Sequence, residues 1–201
     1  MPTKLSRKSR PEAVIAVFAA TARPVILRYF PRNSCIASSR ITIECLKIFG
    51  VPSHAVPVTL KVEVRAHKIM FVCGIDEETQ ARARQSAASY IALQRTGWNG
   101  HLIVKAGRHV IDPSFDQVLD VFASQGIQIE TRPAVFVIPV GDARLVKSFA
   151  IDFVALTDDG AKIDGQYFGI EDYSFQQTPA WETDHLEPAI REITSGMKRE
   201  L

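Results

Sequence analysis

Cys35-Ile-Ala-Ser-Ser-Arg-Ile-Thr-Ile-Glu-Cys-Leu-Lys-Ile-Phe49 runs into Gly50-Val51-Pro52-Ser53 and then into His54-Ala-Val-Pro-Val-Thr-Leu-Lys-Val-Glu-Val64. Residues 35–49 carry apolar and small side chains at helical spacing. Cys35, Thr42, Cys45 and Phe49 fall near one stripe with Ser38 among them; Leu46 lies at its edge, Ile36 and Ile43 beyond it. The β-branched run Ile41-Thr42-Ile43 lowers helix propensity locally, and Gly50 is placed to stop the helix. The segment from His54 alternates from Val58 onward and reads as a strand, with Ile69–Val72 as its hairpin partner. The fold class follows from this junction: a cysteine-led helix set against a mostly antiparallel sheet, α+β.

A second stretch matches the first in chemistry. Gly100-His101-Leu-Ile-Val-Lys-Ala-Gly-Arg-His-Val-Ile-Asp112-Pro113 reads as strand, turn at Ala106-Gly107, strand. The open ends of an antiparallel hairpin are neighbours in space, so His101 and Asp112 come together without help from the rest of the chain. A helix amino terminus and a nearby imidazolium both favour a cysteine's thiolate. A carboxylate fixes the tautomer of the imidazole and stabilises its charged form. Cys35 as nucleophile, His101 as acid and base and Asp112 as orienter therefore suit attack on an amide or ester carbonyl through a thioester. The Cys35 backbone N–H is a candidate oxyanion donor; Asn33, Trp98 and Asn99 are oxyanion or substrate candidates by residue type and nearness.

These two stretches resemble the transglutaminase-like superfamily of the papain-like fold. Its cysteine-led helix ends in Gly-Ile/Val-Pro, as Gly50-Val51-Pro52 does here. Its histidine-led strand passes a glycine turn to a strand ending in Asp-Pro, as His101, Gly107 and Asp112-Pro113 do. The resemblance covers about residues 31–115. It implies Cys35, His101 and Asp112 as the catalytic triad of a peptidase, amidase or transamidase acting on a peptide or protein amide, with no cofactor. It also admits an inactive scaffold that serves as a binding module. The chain departs from the family at Ile36, at Leu102-Ile103 where His-Ala-Trp is frequent, and at His54 where Arg is frequent.

The remaining residues have plainer readings. Cys45 and Cys73 are packing residues, and His54 and His109 are competing bases. His54 follows a turn and is solvated, while His109 alternates away from Asp112. Asp112-Pro113-Ser114 also reads as a turn or cap. Trp98 either walls the cleft or packs. Tyr173 and Trp181, with Phe168 and Phe175, read as core or partner surface.

With 201 residues, 46% hydrophobic and 23% charged, the chain is sized for one globular domain over 1–201. Around the 31–115 core stand an amino-terminal helix and a carboxy-terminal strand and helix extension. The first helix runs from Ser9-Arg10-Pro11-Glu12 to about Ala22, ended by Pro24, with Val25–Phe30 either strand or extended. Asp76–Arg95, Pro113–Gln125 and Glu182–Ile193 read as helices; Ala134–Val140, Phe149–Leu156 and Ile163–Gly169 read as strands. A net charge of +2 argues against nucleic acid as a partner, the basic tip Lys4, Arg7, Lys8, Arg10 notwithstanding. Three cysteines without a CxxC speak against a disulfide framework and for a reducing, cytoplasmic setting. They also speak against a metal site, since Cys35 and Cys45 lie about 15 Å apart along a helix. Ala13–Ala22 is short for a signal peptide and is interrupted upstream by Glu12, and no stretch suits a membrane span. Composition leaves the oligomeric state open.

Overall fold

The computed structural model describes residues 10–31, 34–74, 89–93, 98, 100–124, 126, 135–139, 150–156 and 162–201. Among them are four α-helices: α1 Arg10–Tyr29, α2 Cys35–Ile48, α3 Asp116–Ser124 and α4 Glu187–Glu200. Eight strands accompany them: β1 Ser53–Val64, β2 Ile69–Cys73, β3 Ser89–Leu93, β4 His101–Ala106, β5 His109–Asp112, β6 Phe136–Pro139, β7 Ala150–Leu156 and β8 Lys162–Gly169. The class is α+β with a curled, mostly antiparallel sheet; β2 and β3 form a parallel pair.

β1 organises the sheet because both of its edges are used. Val58 pairs with His101 of β4 and with Gly169 of β8, while Leu60 pairs with Cys73 of β2 and with Tyr167 of β8. A strand has two edges, so β8 holds one, and β2 and β4 lie end to end along the other. The junction of β2 and β4 is made by glycine. Gly74 has φ +79°, and a Cβ there would stand 2.7 Å from the Gly100 Cα. The Thr59 hydroxyl donates to the Gly74 carbonyl at the same point.

Each face of the sheet has its own core. Val56, Val58, Leu60, Val62 and Val64 of β1, with Ile103 and Val110, pack against Val118 and Phe122 of α3. Val104, Ala106 and Ile111 face the opposite way and are covered by α1, α2 and α4. α2 ends as its sequence dictates. Gly50 has φ +74°, its N–H reaches the Lys47 carbonyl at 3.0 Å, and the Val51 N–H reaches the Leu46 carbonyl at 2.9 Å. That pair of bonds is the Schellman termination, which needs the left-handed residue in between. The buried surface of α2 is wider than the predicted stripe and includes Ala37, Ser39 and Ile41. The helix is enclosed by α1 and α4 as well as by the sheet, so more than one face is covered.

Three sequence expectations give way. α1 continues through Pro24 to Tyr29, so Val25–Phe30 is not extended. Its buried positions Ile15, Phe18, Ala22 and Ile26 keep helical spacing across the proline. Burying Ile26, worth about 1.5–3 kcal/mol, offsets much of the roughly 3 kcal/mol that an internal proline costs. Arg23, the residue before Pro24, is held in a buried ion pair with Asp116 of α3. Within the predicted 76–95 helix, Ser89–Leu93 is instead a strand paired with β2, so long-range pairing overrides local propensity; residues 76–88, 94 and 95 lie outside the described set, as does Ser9. The last helix begins at Glu187, not Glu182, because Pro188 suits a first helical turn and residues 179–186 form short 3₁₀ turns. The other predicted strands and the 113–125 helix stand with shifted ends as β6, β7, β8 and α3.

Two glycine substitutions separate backbone strain from crowding. Gly50 has a positive φ and open space, so Gly50→Ala should cost about 1 kcal/mol in urea unfolding. Gly74→Ala adds a collision with backbone and should cost at least about 3 kcal/mol. Equal costs would show that the β2–β4 junction is not tight.

Candidate active site

His101 opens β4 and Asp112 closes β5. Their hairpin turns at Gly107, whose φ is +56°, with Ala106 paired to His109. Continuing that register by one residue places Asp112 opposite Ile103, two residues from His101 on the same face. The result is a contact of 2.7 Å between His101 Nε2 and Asp112 Oδ2, both side chains fully buried. The other oxygen of Asp112 accepts from the Ser114 N–H at 3.0 Å and its hydroxyl at 3.4 Å. Asp112 thus caps the turn that follows it and also holds a hydrogen bond to the imidazole.

Further side chains meet the His101 ring. Cys35, the first residue of α2, touches the imidazole, and so does Cys73 at the end of β2. Gln117, in the first turn of α3, places its amide nitrogen 3.0 Å from Nδ1. Cys73 was read as packing alone, but the β2–β4 junction also sets it beside His101, two positions along β1. Burial alone would push the His101 pKa down. The Asp112 charge and hydrogen bond outweigh it, with Cys35 and Cys73 adding, and the ring is held well above its ordinary value. The arrangement therefore favours the imidazolium. Nε2 is committed to Asp112, and Nδ1 is met by the Gln117 amide. Gln117 can follow either protonation state, since a side-chain amide presents a donor at one end and an acceptor at the other.

Cys35 is fully buried, whereas a nucleophile is expected at an open cleft. It lies in a cluster with Trp98, Leu102 and Phe175, and Trp181 packs against that cluster. Phe175 meets Trp98 at 5.3 Å and Trp181 at 4.9 Å between ring centroids, both edge to face. Arg40 of α2 lies 4.9 Å from the Trp181 ring centroid. The stretch read as core or partner surface therefore supplies the cover of the sulfur through Phe175 and Trp181, while Tyr173 is exposed. Trp98 is buried and packs in the cluster that encloses Cys35. Its ring lies on Gly100, where an added Cβ would fall 2.1 Å from the indole. Asp172 has its carboxyl held below its usual range chiefly by the Ser174 hydroxyl and N–H. Asn33 and Asn99 lie outside the described residues.

No family model, curated protein or solved structure matches the chain.

The other candidates separate clearly. His54 is exposed and pairs across the strands with Lys105; His109 is half-buried and pairs with Ala106 and Pro139. Cys45 belongs to the core under α1 and α4, and burial, with Glu44 adding, pushes its thiol up to about 12. Among the described residues no group of three or more His, Cys, Asp or Glu side chains is placed to hold a metal ion. No described helix is long and apolar enough to cross a membrane. Sequence reasoning missed Gln117 and Tyr167. The hydroxyl of Tyr167 donates to Asp112 Oδ2 at 2.9 Å. Gln117 left a faint signal, a polar residue in the first turn of the helix that follows Asp112-Pro113; Tyr167 left none, because its contact depends on how the sheet curls.

The His101 pair makes stability depend on pH with a definite sign. A raised imidazole pKa contributes stability that is complete below about pH 6.5 and is lost as pH rises through the folded value. Urea midpoints from pH 6 to 10 should therefore fall more for the native chain than for His101→Gln; parallel curves would show that His101 is neutral in the fold.

Proposed function

We propose that this chain is a cysteine acyl-transfer enzyme of the transglutaminase-like, papain-like type, hydrolysing or transferring at an amide bond of a peptide or protein. One observation carries the reading: the fully buried His101–Asp112 pair at 2.7 Å, with the Cys35 thiol on the same ring. The Cys35 thiolate attacks the amide carbonyl, and the charge moves onto the carbonyl oxygen. The His101 imidazolium gives its Nδ1 proton to the departing amine, leaving a thioester. His101 then takes a proton from water or an acceptor amine, which attacks the thioester, and the thiolate leaves with the electrons of the C–S bond. Asp112 keeps the ring oriented and its cation stabilised throughout.

The complete burial of Cys35 favours a second reading, a non-catalytic scaffold of the same architecture that binds a partner. On the acyl-transfer reading, the cover of Trp98, Phe175 and Trp181 is a resting state that substrate displaces.

Iodoacetamide labelling separates the two. Cys35 should label at least about tenfold faster than Cys45 and Cys73, and His101→Gln should remove that advantage. Cys35→Ser should leave unfolding unchanged and abolish amide turnover. Three thiols that label together, and only in denaturant, would leave the scaffold reading standing.

A further inference from the structure

We propose that Tyr167 is a positioning residue of the His101–Asp112 pair and sets how tightly Asp112 holds the imidazolium proton. The inference rests on the acyl-transfer reading and deepens it. Tyr167 comes from β8, on the edge of β1 opposite to the one β4 occupies. It pairs with Leu60 while His101 pairs with Val58, so both side chains stand on the α3 face, two positions apart along β1.

Curling of the sheet brings the phenol over the histidine. The two rings stack with centroids 6.3 Å apart and planes 16° apart. The Tyr167 hydroxyl donates at 2.9 Å to Asp112 Oδ2, the same oxygen that His101 Nε2 contacts at 2.7 Å. Tyr167 is fully buried, and burial followed by the Asp112 charge holds its hydroxyl well above its ordinary pKa. It stays a neutral donor across the working range. A neutral donor on Oδ2 draws charge away from that oxygen and weakens its grip on the imidazolium, which keeps the His101 proton transferable. A buried carboxylate with the histidine as sole partner on that oxygen would be more basic, and its imidazolium a poorer acid.

Tyr167→Phe removes the hydroxyl and keeps the ring, so the stack and the core volume survive. The test follows His101 by NMR in the full chain labelled at histidine, its signal assigned by its absence in His101→Gln. In Tyr167→Phe the imidazolium should titrate about one pH unit higher, about tenfold in proton affinity. The alkaline limb of Cys35 alkylation should move with it. A purely structural tyrosine would lower the urea midpoint and leave both profiles in place, and that result overturns the proposal. So does a histidine titration that moves while alkylation does not. Should Tyr167→Phe fail to fold, 3-fluorotyrosine at position 167 provides a stronger donor and should shift both profiles the opposite way; no shift again overturns the proposal. Failure of the underlying reading looks different: Cys35 alkylation in the native chain would then ignore His101→Gln altogether.

Discussion

A carboxylate and an imidazole enclosed by protein, with no water-facing surface on either, are the constraint around which this molecule is arranged. Each alone would be expensive to bury, and either one left unpaired would cost several kcal/mol. Together they require a short hairpin to hold their register, a turn at Gly107, and donors for every oxygen of Asp112. Ser114 fills one oxygen, and Tyr167 and His101 share the other. The apolar layer over them comes from α3, whose Val118 and Phe122 close that face.

α3 is itself secured by a second buried charge pair. Arg23 of α1 engages Asp116 through Nε at 2.9 Å and through a second contact at 2.5 Å. Its remaining nitrogen lies 3.4 Å from the Ser38 hydroxyl of α2. The fork links three helices, and the residue after Asp116 is Gln117, on the ring of His101. Such a pair adds little net stability over a well-packed apolar substitute, yet losing one partner is costly. Its consequence here is geometric, since it ties α1 to the turn of α3 that carries Gln117. This pairing also accounts for an α1 that runs on past Pro24: ending the helix at Ala22 would remove the backbone that aims Arg23.

Much of this was written in local sequence. Periodicity over 35–49 and the Gly50 stop defined α2, and hairpin logic brought His101 to Asp112 from eleven residues apart. Those inferences succeed because the interactions lie between near neighbours in the chain. The contributions of Tyr167, Phe175 and Trp181 come from 55 or more residues beyond Asp112 and depend on which edge of β1 receives β8. No pattern in Ile163–Gly169 declares that edge. The 76–95 helix expectation failed for the same reason over Ser89–Leu93, since a parallel partner is chosen in space. Burial of Cys35 was equally hidden, because Phe175 and Trp181 of its cover come from the carboxy-terminal third of the chain.

The abutment of Gly74 and Gly100 carries an implication for how the chain tolerates change. Between the two abutting glycines the chain lays β3 against β2 and brings Trp98 to the Cys35 cluster. For a closed excursion of this kind, doubling the number of residues costs only about 0.6 kcal/mol in chain entropy. Insertions between these two footholds should therefore be absorbed where they leave β3 on β2 and Trp98 on Cys35. That makes this doorway the natural place for the protein to acquire or exchange an appendage.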